Sequence, residues 1–188
     1  MDRRLLVLAL GMFALGTDSF VVAGLLPEIA RDFNVSIGAA GQMTSVYAVT
    51  IALLAPIIAA LAAHVPRKKL LLSGLAVFVI ANLGTAFAPS FGVALATRAL
   101  AGLGAAMFFP TATGSAALIV PPERRGFALS VVATGMTVST ALGAPIGTLI
   151  GGLGDWHWTM VFVAVLAALS GLGVSAVGAD SKLSHRAD

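Results

Sequence analysis

The chain has 188 residues, of which 59% are hydrophobic and only 10% charged, and its mean hydropathy is +1.01. A water-soluble domain of this size could not hide so much apolar surface, so the expected solvent is a lipid bilayer. The absence of cysteine excludes disulfides and thiolate metal sites, and the pI near 10.0 implies no nucleic-acid partner, because the basic residues sit beside the apolar runs.

A hydrocarbon core of about 30 Å takes about 20 helical residues to cross. Six runs meet that length: Leu5–Leu26, Ile37–Ala63, Leu70–Ala88, Phe91–Val120, Phe127–Gly152 and Trp158–Gly178, followed by a polar tail over 181–188. The expected class is an all-α membrane protein with six transmembrane helices. Arg3 and Arg4 before the first run resemble a signal peptide, but the run continues past any small-residue cleavage site and is read as a retained helix. Of the 11 lysines and arginines, all but Arg31 and Arg98 fall on one side of this arrangement. The positive-inside rule then predicts cytoplasmic termini and a multi-pass protein of the cell inner membrane.

The first span carries Asp18 within GTDSFVVAGLLPEIA, the sole acidic residue inside any run. It lies about 12 Å below the outer face at 1.5 Å per residue. The second span brings Gln42, Thr44, Ser45, Tyr47 and Thr50, with Tyr47 near the depth of Asp18; Asn82 of the third span is expected there too, bonded to a neighbouring helix. The turn HVPRKK is what charge sidedness alone would produce, although Glu123 in the next loop on that side could clasp Arg67 or Lys68.

The fourth span, ALATRALAGLGAAMFFP over 94–110, holds Arg98 in an uncharged run. An arginine at mid-bilayer costs at least about 2.5–3.5 kcal/mol on insertion scales, so a carboxylate, a polar cavity or a substrate is expected beside it. The bland alternative is that it snorkels to the interface near Ser90. Arg98 and Asp18 fall at similar depths, which permits an ion pair. Such a pair either locks two helices or titrates in function.

The fifth span has small residues at every fourth position, namely Gly135, Ser139, Gly143, Gly147 and Gly151. Such a stripe lets a second backbone approach closely. Pro145 within it removes a donor and predicts a kink. Trp156 and Trp158 are expected at a membrane interface, with His157 an interface residue rather than a ligand.

These motifs together resemble the amino-terminal half of a major facilitator superfamily transporter, in the drug:proton antiporter branch and near its chloramphenicol and sugar-efflux proteins. The resemblance runs from Leu8 to Gly178. It rests on the helix 1 stretch around Asp18 and Pro27, on Arg98, Gly102 and Gly104 against R-x-x-q-G-x-G with Ala101 at the polar position, and on GAPIGTLIG over 143–151. The loop after the second span departs: Leu61, Ala62, Arg67 and Lys68 fit G-x-L-A-D-r-x-G-R-K, but Ala59, Ala63 and Pro66 replace its glycines and aspartate. The gating salt bridge the family assigns to that aspartate cannot form here.

The resemblance implies proton-driven efflux of a small amphipathic compound, with Asp18 and Arg98 in coupling and no cofactor beyond the proton gradient. Gln42, Tyr47, Met107, Phe108 and Phe109 are the candidate substrate contacts. Gly143, Pro145, Gly147 and Gly151 form the antiporter motif, and Arg67, Lys68 and Glu123 a gating loop. Family members have two six-helix halves, so the implied partners are lipid, substrate and a second half, whether self or another chain. A natural half-transporter, a truncated product and an excised half are all compatible with that length. The alternative is a non-transporting scaffold that packs through the helix 5 glycines. An intramembrane enzyme or channel fares worst: one membrane acid makes no aspartyl dyad, and His64, His157 and His185 all lie outside the runs.

Overall fold

The computed structural model describes residues 2–153 and 155–184, and every regular element among them is helical. Six helices are long and apolar enough to cross a membrane. We label them α1 (Arg3–Gly24), α2 (Ile37–Leu61), α3 (Arg67–Ala86), α4 (Phe91–Ile119), α5 (Pro122–Leu153) and α6 (Trp156–Ser184). Part of the expected tail is therefore helical, whereas His185, Arg186 and the rest of 185–188 lie outside the described residues.

Polar side chains set the helix starts. The Asp2 carboxylate accepts from Arg4 N–H at 2.9 Å, and Ser36 Oγ accepts from Ala39 N–H at 3.1 Å. Ser90 Oγ receives Val93 N–H at 3.4 Å, so this serine caps α4 by satisfying an orphan first-turn donor. After α1 the chain restarts as a short helix, Leu26–Asp32, with Pro27 in its first turn, where the missing N–H costs nothing.

Short connections make consecutive long helices antiparallel. The packing runs as a closed circuit, α1–α5–α4–α3–α6 and back to α1, with α2 laid mainly against α4. Small residues make this possible. Ala94, Ala101, Gly102, Gly104, Ala105, Ala112 and Ala116 of α4 are all buried, which brings neighbouring backbones close enough for dispersion to hold them in lipid. A Cβ on Gly104 would meet the Gly74 carbonyl at 2.7 Å and the Phe78 N–H nitrogen at 2.8 Å. That is where α3 and α4 touch.

The small-residue stripe of α5 faces α1 residue by residue. Cβ atoms built at Gly135, Gly143, Gly147 and Gly151 would run into Ala9, Thr17, Val21 and Leu25 respectively, and one at Gly16 of α1 into Ser139. The stripe is thus spent inside the chain and offers no docking surface to another protein. Just upstream of Pro145, where a kink is expected, the helix widens into a π-helical turn over Ser139–Gly143. Proline cannot donate to the carbonyl four residues back and clashes with it, and a wider turn relieves both.

Candidate functional site

Arg98 and Asp18 meet inside the bundle. Arg98 Nη1 donates to Asp18 Oδ1 at 2.9 Å, with the side chains 1% and 0% exposed. Snorkelling is excluded for this arginine. Asp18 Oδ2 and Arg98 Nε have no hydrogen-bond partner among the described residues. A buried pair with spare valences is poor ground for stability, since desolvation offsets much of the attraction. It suits a site that exchanges partners.

Tyr47 closes the site from α2. Its ring lies 4.5 Å from the Arg98 guanidinium carbon, within cation–π range, and its hydroxyl is 3.5 Å from Ser19 Oγ of α1. Gly102, one turn beyond Arg98 on the same face of α4, explains how α2 comes so near. A Cβ there would strike the Tyr47 carbonyl at 2.8 Å and Thr50 Cβ at 2.7 Å. The glycine of the R-x-x-x-G motif therefore seats Tyr47 over the arginine. Motif matching alone does not show this, because the contact is with another helix.

The remaining candidates separate. Phe109 keeps the helical register of Arg98 and Gly102 and is half-buried, and Gln42 is exposed at the start of α2. Met107 leans on Gly74 of α3, where its Cβ would lie 3.0 Å from a Cβ on that glycine. Phe108 is 0% exposed and fills the space left by Gly11 of α1. It is a core residue, which corrects its place on the cavity wall: one residue along a helix rotates a side chain by about 100°, and the bulky ring goes where a glycine leaves room. Asn82 does not bond across helices either; its Nδ2 donates to its own helix at Phe78 O, 3.0 Å away. Thr85 and Thr97 make the α3–α4 bond instead, at 2.9 Å.

The expected clasp between Glu123 and Arg67 or Lys68 is absent among the described residues. Lys68 Nζ donates to the Ser175 carbonyl of α6 at 3.0 Å, and Arg67 lies along α4 beside Gly114. Both cations are exposed at this end of the bundle and make these contacts instead of one with Glu123. At the opposite end Trp156 is 2% exposed and Trp158 64%, so only Trp158 stays outward. The two sit roughly 200° apart on a helix, and Trp156 turns in to give its indole N–H to Asp32 Oδ2 at 3.1 Å. His157 Nε2 lies 3.6 Å from the same oxygen, and its bond to Asp155 holds that carboxyl below the usual carboxylate range. The sequence showed no sign of this junction, because Asp32 ends the short helix after α1 while Asp155 lies in the connection between α5 and α6.

The family profile described as Major Facilitator Superfamily matches residues 8–186. A chloramphenicol resistance protein of Streptomyces lividans is 40% identical over 174 residues, 93% of this chain and 44% of the relative. The inner membrane transport protein YdhP of Escherichia coli is 35% identical over 166 residues, 88% and 43% of the two chains. Among solved structures, the peptide transporter POT in complex with sulfate superposes with a TM-score of 0.83 at 17% identity, over 94% of this chain and 38% of that one. That likeness is one of fold. The chain spans less than half the length of these relatives.

Proposed function

The chain belongs to the Major Facilitator Superfamily and is a multi-pass membrane protein, and on that premise we propose that it supplies one half of a secondary transporter exporting a small amphipathic compound in exchange for protons that enter down their gradient. Asp18 carries the proton and Arg98 is its electrostatic partner. The observation that carries this reading is the fully buried pair with an open valence on each side. An intramembrane carboxylate is costly to keep, and function is the usual reason to keep one. The resistance relative favours a chloramphenicol-like solute, and the basic end of the bundle is the cytoplasmic one.

The pair is sealed rather than set in an open wall, because Tyr47 is only 2% exposed. Proton access in this reading requires α2 to move off α4. The helix is suited to that: it packs little elsewhere, and Val49, Leu53, Ile57 and Leu61 form an exposed apolar edge. The same edge, with Leu142, Ile146 and Leu149 of α5, is where a second six-helix bundle would rest, since alternating access rocks one bundle against another.

In proteoliposomes, an imposed pH gradient is expected to drive labelled chloramphenicol flux, and a protonophore to stop it. Flux that ignores the gradient, with the labelled compound or a panel of amphipathic drugs and sugars, would remove the proposal. A cysteine replacing Leu53, which is 62% exposed, is expected to crosslink to a second bundle in native membranes. Transport by a demonstrated monomer without crosslinks would refute the partner.

A further inference from the structure

At the basic end, α1, α3, α4 and α6 enclose a cleft of about 270 Å³ whose lining includes Arg4, Arg67, Lys68, Leu71, Ser115 and Ile119. Among the described residues no carboxylate pairs with any of the three cations. Arg67 reaches the level of Ser115, since a Cβ on the preceding Gly114 would meet its Nη1 at 2.5 Å. Lys68 is held at the same end by its bond to Ser175 O. The Ser115 side chain is 9% exposed, and its Oγ has no hydrogen-bond partner. A buried hydroxyl left unpaired costs free energy unless something arrives to bond it.

We propose that this cleft is a binding site for an anionic phospholipid. The phosphodiester sits among Arg4, Arg67 and Lys68 and takes the Ser115 hydroxyl as a donor, and an acyl chain lies on the Leu71 and Ile119 wall. Free phosphate would satisfy the cations and leave the apolar wall uncovered. A zwitterionic lipid would cover the wall and bring its own cation against three others. An anionic lipid answers both, and basic pockets between membrane helices are suited to such headgroups. At this volume, near the lower limit of about 300 Å³ for small-molecule pockets, the headgroup fits inside and most of the acyl chain outside.

The test is native mass spectrometry of the full chain in mild detergent, titrated with dioleoylphosphatidylglycerol, dioleoylphosphatidylcholine or inorganic phosphate. Phosphatidylglycerol is expected to bind at least about tenfold tighter than phosphatidylcholine. Each cation contributes about fivefold near an anionic headgroup, so Arg67→Gln with Lys68→Gln should weaken it roughly thirtyfold. Lys69→Gln, at a neighbour that is exposed like Arg67 and Lys68 but does not line the cleft, should leave it within about twofold. Ser115→Ala should weaken binding while leaving thermal stability unchanged or higher, because the hydroxyl has no protein partner to lose. Equal binding of the two lipids, or an equal loss in the Lys69 variant, would show unspecific charge attraction and overturn the site. Displacement of phosphatidylglycerol by millimolar inorganic phosphate would overturn the lipid and leave a free-anion site.

Discussion

Replacing Arg98 with alanine is expected to destabilise the protein by about 3–5 kcal/mol, the usual cost of stranding one member of a buried pair, and to stop proton-coupled flux. Asp18→Asn should also abolish coupling but cost less stability. The asymmetry comes from the surroundings. Without Arg98 the Asp18 carboxylate has no donor left among the described residues, since its second oxygen is already unpartnered. Without the Asp18 charge, Arg98 still rests on the Tyr47 ring at 4.5 Å, a contact worth up to about 2 kcal/mol when desolvated. Arg98→Lys should fall between, keeping the charge and losing the planar fork. The double variant Asp18→Asn, Arg98→Gln separates a lock from a carrier: it should regain much of the stability, as two neutral amides, and none of the coupling. Unfolding midpoints in detergent and gradient-driven flux read the two properties independently. A double variant that transports with protons would reduce the pair to a helix lock.

Gly135→Val is expected to prevent α1 and α5 from docking. Its Cβ would run into the Ala9 carbonyl oxygen and come within 3.0 Å of Met12 Cβ. Overpacking by one or two carbons costs about 1–3 kcal/mol where side chains can yield. Here the obstacle is backbone, and the same crossing is repeated at Gly143, Gly147 and Gly151, so a shift at one contact loosens the rest. The variant should lose its monodisperse peak in size-exclusion chromatography. Gly152→Ala is the matched control on the same helix, because nothing lies within 4 Å of its Cβ; it should behave as wild type or slightly better, given alanine's helix propensity. Two variants of equal stability would mean that α1 and α5 do not meet as described.

What the residues alone determined follows from the solvent. In lipid every backbone group must be satisfied within its own helix, so hydropathy and length suffice to mark six helices. A lone acid and a lone arginine in apolar runs each call for a partner on cost alone, and their similar depths permit the pair that the fold forms. What faces what is another matter. Small residues, not apolar ones, decide contact in a bilayer, and a glycine carries no mark of which helix it admits. Only the packed chain spends the α5 stripe on α1, puts Gly102 under Tyr47, turns Phe108 into the core toward Gly11, and relaxes Pro145 through an upstream π turn. The charged ends were equally silent. Arg67 and Lys68 reach across to α4 and α6 because tertiary packing brings those helices to the same end, and Asp32 meets Trp156 across more than a hundred residues of sequence. Periodicity within a helix is local, but the pairing of helix faces is a property of the whole bundle.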